Sequence, residues 1–122
     1  MIMTEEQRQD FNSLSASKKK NFLKIASEHP QWDFSKVMTK LAFDEKTDSF
    51  IDNGGRDVDP NDTVLWRDIL RGVKVTLSKF QSISSRIITV LDTAIKTLTK
   101  AIEAGIKKAG MIIRGIKESL FY

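Results

Sequence analysis

The side chains best suited to chemistry in this sequence are carboxylates, several of which recur at the spacing of a calcium-binding loop. Positions 1, 3, 5 and 12 of an EF-hand-like loop are occupied by Asp57, Asp59, Asn61 and Asp68. Against this match, Asp62 replaces the glycine of the sharp turn and Leu65 stands where an oxygen ligand is usual. The simpler interpretation is that Asn61 or Asp62 caps a helix. Calcium binding by residues 57–68 is left open, and no metal site is predicted.

Groups able to catalyse a reaction are scarce. His29 is the only His and there is no Cys. No Gly-rich phosphate loop, nucleotide fingerprint or Ser-centred elbow occurs. His29 stands directly before Pro30, where a His can meet the last carbonyls of a helix. We therefore predict no catalytic residue, no cofactor and no enzymatic activity, and expect the protein to act by binding.

Charge is distributed unevenly along the chain. Residues 1–43 hold seven Lys/Arg and five Asp/Glu. Residues 44–62 hold two Lys/Arg and seven Asp/Glu, and residues 63–122 hold eleven Lys/Arg and four Asp/Glu. The three segments therefore carry +2, −5 and +7, which together give the net charge of +4. A basic C-terminal half indicates an anionic partner, or a positive charge that the acidic segment of the same chain screens.

Four cations of the basic half have the spacing of one helix face, opposite a face of isoleucines. They are Lys96, Lys100, Lys107 and Arg114. This arrangement is typical of a helix lying in an anionic membrane surface, because apolar burial and headgroup attraction add. The commoner origin of such a face is the solvated outside of a bundle or oligomer, as is usual for an amphipathic helix. The same cations would suit nucleic-acid phosphates, but few aromatic residues accompany them for stacking on bases.

The N-terminal 43 residues predict three short helices. Thr4 and Gln7 form a capping box at the first helix start, and Ser15 to Ser17 cap a second helix that ends near Glu28, before Pro30. Asp33 or Ser35 caps the third. We interpret residues 1–43 as a small helical subdomain.

Residues 44–62 are rich in Asp, Asn, Gly and Pro, which predicts an acidic loop or hinge. A hairpin turn at Asn53-Gly54 is a minor alternative. From residue 63 to residue 122 the chain reads as one cationic amphipathic helix, with Leu98 near the middle of the apolar sector. The apolar face that we expect to meet a partner comprises Leu70, Val73, Leu77, Phe80, Ile87, Leu91, Leu98, Ile102, Ile106, Ala109, Ile113 and Ile116.

The length of this predicted helix poses a choice. From Trp66 to Leu120 it has 55 residues, which would rise about 82 Å, whereas a compact domain of this size has a radius of gyration of about 14 Å. The helix therefore breaks, at Ser82 to Ser85 or near Gly105, and folds back as a hairpin, or it stays extended and covers its apolar face with a partner.

The fold class predicted is thus all-α, and the favoured function is a non-enzymatic assembly protein. In this hypothesis the C-terminal helix packs against copies of itself or against a helical partner. The first alternative is a peripheral membrane-binding or membrane-perturbing protein, and the second is sequence-nonspecific nucleic-acid binding. Charged residues interrupt every apolar stretch, so no spanning helix is expected. Glu5 and Glu6 stand where a secretory signal is basic, so no cleaved signal peptide is predicted.

Overall fold

The computed structural model describes residues 1–52 and 58–122, and in this part of the chain the protein is all-α. Six helices and no strand are present among the described residues. The helices are α1 (Glu5–Asn12), α2 (Ala16–Glu28), α3 (Phe34–Asp52), α4 (Thr63–Ser78), α5 (Ser85–Glu103) and α6 (Ala109–Phe121). The predicted fold class is confirmed, but one long C-terminal helix is not observed: α4, α5 and α6 take its place.

The first three helices begin where their capping residues predict. The Thr4 hydroxyl accepts the Gln7 N–H at 3.2 Å while the Gln7 side chain accepts the Thr4 N–H at 2.9 Å, which completes the capping box. The Ser15 hydroxyl accepts the N–H of Lys18 at the start of α2. At the start of α3, Asp33 accepts the N–H of Lys36 at 2.9 Å. Each cap satisfies a backbone donor that the helix itself leaves unpaired.

Helix α3 extends further than the sequence indicated. It continues to Asp52, so the loop expected from Asp44 begins later. The Lys40 ammonium pairs with Asp44 one turn on at 2.9 Å, and α3 packs closely on α4 where a Cβ on Gly72 would lie 3.1 Å from the Lys46 side chain. These contacts stabilise helix in a stretch that lacks an apolar stripe. Asn53, Gly54 and Asp57 lie outside the described residues.

The C-terminal chain breaks at both positions considered from the sequence. The first break lies between α4 and α5 and is stabilised by the buried carboxylate of Asp10. This carboxylate accepts the Gln81 N–H at 3.2 Å and the Ser82 N–H at 2.8 Å. It also accepts the Ser82 hydroxyl. The N–H of Ser84 also donates to the Ser35 hydroxyl at 3.3 Å. Polar groups of α1 and α3 therefore accept hydrogen bonds from the backbone N–H groups of the loop that follows α4.

The second break is a glycine turn between α5 and α6. Gly105 has a φ of +70°, its N–H donates to Ile102 O at 3.0 Å, and the Ile106 N–H donates to Ala101 O at 2.8 Å. This pair of bonds is a Schellman motif, which ends a helix by placing a left-handed residue after it. The turn reverses the chain, and the Arg86 guanidinium reaches Ser119 O at 3.2 Å. Helices α5 and α6 therefore form an antiparallel hairpin.

The buried apolar side chains of the described residues form one cluster, from Leu14 in the α1–α2 linker to Phe121 in α6. Helix α4 packs chiefly on α5 and α3, and α6 packs chiefly on α5. The Phe121 ring lies 5.6 Å from Trp32 and 5.7 Å from Phe43, so α6 also contacts the N-terminal helices. Whether segments 1–43, 44–62 and 63–122 have separate roles stays a prediction.

Candidate functional site

The predicted partner-interface residues lie mostly inside the protein. Nine are buried, namely Leu70, Val73, Leu77, Ile87, Leu91, Leu98, Ala109, Ile113 and Ile116. Phe80 and Ile102 are half-buried, and Ile106 is 45% exposed. The burial expected for Leu98 is confirmed, since its exposed fraction is 0%. A partner interface on these side chains stays a prediction, because their contacts in this fold are with the chain's own helices.

The four predicted anion-binding residues are all exposed: Lys96, Lys100, Lys107 and Arg114. Lys96 pairs with Asp92 at 3.1 Å, and Asp92 is shared with Lys74 of α4 at 2.8 Å. Hydrogen bonds from Lys74 and then from Lys96 hold the pKa of Asp92 below its usual value of 3.8. Among the described residues, the other three cations have no carboxylate within ion-pair distance.

The structure adds two cations that the helical spacing did not place with these four. Lys108 is exposed in the turn before α6, and Lys117 is exposed on α6 with its ammonium 5.8 Å from the centre of the Trp66 ring. We call the full set the α5–α6 basic surface: Lys96, Lys100, Lys107, Lys108, Arg114 and Lys117. Glu103 and Glu118 are the only acids between residues 96 and 122, so this surface is cationic.

Two apolar side chains are exposed beside these cations. Ile106, 45% exposed, directly precedes Lys107. Met111, 77% exposed, lies three residues before Arg114 on α6, a spacing that puts the two side chains on the same helix face. The helical pattern places Met111 on the polar side, but it was not included among the site residues, because an isolated methionine there carries no periodic signal. The hairpin tip therefore combines positive charge with exposed apolar surface.

Ile106 and Val64 line the same shallow depression, of about 440 Å³, at the α4 side of the tip. The acids Asp59 and Asp62 also border it. Both carboxylates are engaged with backbone, since Asp59 accepts the Asn61 N–H at 2.9 Å and Asp62 accepts the Leu65 N–H at 3.0 Å. Asp62 thus caps α4, as expected from the interpretation in which Asn61 or Asp62 caps a helix.

A second surface feature is an aromatic cleft between α6 and the N-terminal helices. Two adjoining depressions, of about 600 and 720 Å³, share Val58, Trp66, Lys117 and Tyr122 as lining residues. His29 lines the first, and its ring stacks on Trp32 with centroids 3.7 Å apart. The His29 N–H donates to Ile25 O at 3.0 Å, so this residue ends α2, as its place before Pro30 predicted.

Comparison of the chain with protein-family models, curated proteins and solved structures finds no match. None of the helices in the described ranges is both long and apolar enough to cross a membrane. Residues 1–52 and 58–122 hold no group of three or more His, Cys, Asp or Glu able to bind a metal ion together, and Asp57 of the calcium-like pattern lies outside them. Charge and exposed apolar side chains are the features from which a function is proposed.

Proposed function

We propose that this protein is a non-enzymatic, peripheral membrane-binding protein that uses the α5–α6 basic surface to contact anionic lipid. The observation that supports the proposal is the hairpin tip, where the exposed Lys107 and Lys108 fall along the chain between the exposed Ile106 and Met111. A membrane interface accepts both parts, because apolar side chains enter the acyl boundary while Lys and Arg stay at the headgroups.

The test is co-sedimentation with phosphatidylcholine vesicles that contain or lack phosphatidylglycerol. We expect binding only to the anionic vesicles, and weaker binding as salt is raised. Each cation near such a surface contributes about 1 kcal/mol. Lys107→Gln with Lys108→Gln should therefore weaken binding by about 2 kcal/mol, roughly 30-fold.

The matched control is Lys20→Gln with Lys24→Gln, which removes the same charge from exposed positions on α2. Equal weakening by both double variants would mean that net charge alone attracts the protein, and would contradict a site on α5–α6. Equal binding to neutral vesicles would also contradict it. Double-stranded DNA is the competing anion: strong, steeply salt-dependent DNA binding without vesicle binding would assign the basic surface to nucleic acid instead.

Self-assembly through the apolar face of the C-terminal helices is the second candidate. The way α6 is attached favours it, since a short glycine turn joins α6 to α5. The α6 of a second copy fits the same place on α5, and such exchange is a common route to dimers. Light scattering separates the candidates, because a monomer in the absence of lipid contradicts assembly and leaves lipid binding intact.

A further inference from the structure

The apolar stripe continues in helical phase through the turn that breaks it. Leu98, Ile102 and Ile106 follow one another at steps of four, and Ala109 and Ile113 continue at steps of three and four, the spacing of one helix face. Yet the chain reverses at Gly105, and Ile106 is 45% exposed while Leu98 is fully buried. The sequence therefore encodes one amphipathic face that the hairpin does not fully use.

We infer that anionic lipid opens the hairpin and joins α5 and α6 into one continuous amphipathic helix over residues 85–121, with the apolar stripe towards the acyl chains. The inference rests on the proposed function and extends it. It makes the inner face of the hairpin, rather than only its tip, the membrane-binding surface. A bilayer interface offers this face the apolar surroundings that it now has in the core.

The turn is built so that opening meets little resistance at the hinge. Two backbone hydrogen bonds close it, from Gly105 and from Ile106. No other group lies within 4 Å of the place where a Cβ on Gly105 would stand. Because glycine adopts left-handed and right-handed helical backbone angles about equally readily, residue 105 can enter a continuous helix without displacing a neighbour.

Opening transfers the buried side chains of α6 to the lipid, and with them those of α5, which now packs on α4. The buried side chains are Ala109, Ile113, Ile116, Leu120 and Phe121 of α6 and Ile87, Leu91, Ala94, Ile95 and Leu98 of α5. It also gathers charge: at 100° per residue, Lys96, Lys100, Lys107 and Arg114 fall within about 40° of one another, opposite the stripe. In the hairpin the same four cations are divided between two antiparallel helices and a turn. Anionic lipid therefore favours the continuous helix by contact with both of its faces.

The experiment measures the distance between the two ends of the hairpin. The chain has no Cys, so Arg86→Cys with Ser119→Cys places two spin labels at exposed positions that touch in the hairpin. In a continuous helix the same positions are about 50 Å apart. We expect a short distance in solution and with phosphatidylcholine vesicles, and about 50 Å with vesicles containing phosphatidylglycerol.

The control pair, Arg86→Cys with Thr97→Cys, lies at exposed positions within α5 outside the basic surface and should keep a distance of about 17 Å under every condition. Protein that co-sediments with anionic vesicles but keeps the short 86–119 distance would overturn the opening and leave lipid binding standing. Protein that does not co-sediment at all would overturn both. Denaturation curves of the labelled variants, compared with the parent, establish that the labels preserve the fold.

Two glycine variants test the hinge independently. Gly105→Ala disfavours the left-handed turn and favours helix, so we expect the lipid concentration for half-opening to fall about tenfold. Gly115→Ala is the matched control, since it also has no other group within 4 Å of its Cβ but lies inside α6. It strengthens helix in both conformations and should leave that concentration nearly unchanged. Equal effects of the two variants would contradict a hinge at Gly105.

Discussion

Asp10 joins the N-terminal helix to the loop that ends α4. Its carboxylate, 7% exposed, accepts the N–H groups of Gln81 and Ser82 and the Ser82 hydroxyl. Asp10→Ala leaves these donors without an acceptor in a partly buried place, at a cost of about 1–3 kcal/mol in the free energy of unfolding. Urea denaturation measures the loss. Gln9→Ala, an exposed neighbour on α1, should change the same quantity by less than about 0.5 kcal/mol.

The residue scale also shows where local signals are reliable. Thr4, Ser15 and Asp33 each cap the helix that their sequence context predicts, because a cap depends only on residues within one turn. Asp10 carried no such signal. Its role depends on Ser82, 72 positions away, and no pattern within one helix connects the two.

At the scale of helices, Asp92 on α5 links two helices electrostatically, as it pairs with Lys74 of α4 and Lys96 of α5. These cations lower its pKa, so the folded state favours the charged carboxylate. The stabilisation is present above the unfolded pKa and is lost as pH falls through the folded one. We expect Asp92→Asn to lower stability at neutral pH, and the difference from the parent to shrink as the pH falls through the lowered folded-state pKa of Asp92.

Urea denaturation from neutral to acid pH, at low salt, checks this prediction. The control is Glu103→Gln, an exposed carboxylate on the same helix without an ion pair in the described part of the chain. If the free energy of unfolding of Asp92→Asn stayed below that of the parent by the same amount at acid pH, the side-chain shape, and not the charge, would stabilise the α4–α5 contact.

At the scale of the whole molecule, Phe121 connects the last helix to the first half of the chain through Trp32 and Phe43. Since the apolar core is continuous, we expect a single unfolding transition with the same midpoint by tryptophan fluorescence and by circular dichroism. Phe121→Ala should lower stability by about 3–5 kcal/mol and shift both midpoints together.

Tyr122→Ala is the control, because Tyr122 is 89% exposed and its loss should be nearly neutral. Two separated transitions would mean that residues 1–43 and 63–122 unfold as independent units. A Phe121→Ala variant that shifts the midpoint seen by only one of the two probes would mean the same. That outcome would support the segment division predicted from charge and composition.

Helical spacing predicted some of the cations of the basic surface but not all of them. The spacing of Lys96, Lys100, Lys107 and Arg114 predicted that these side chains are exposed, and they are. The single helix face on which it placed them is divided between α5, the turn and α6. Lys108 and Lys117 were missed because the prediction assumed one continuous helix, whereas Lys108 lies in a turn and Lys117 faces Trp66 across the α4–α6 contact. Only the folded chain brings Trp66 and Lys117 together.

The sequence by itself determined the all-α class, the starts of α1 to α4 and the alternation of apolar and basic faces, since each depends on residues within a few turns of one another. Tertiary structure decided that α3 continues to Asp52 and that the C-terminal stripe breaks twice. A glycine inside a helix costs only about 1 kcal/mol, so Gly105 alone is a weak break signal. Packing α5 and α6 side by side buries many apolar side chains at once, and that collective gain is what selects the hairpin in solution.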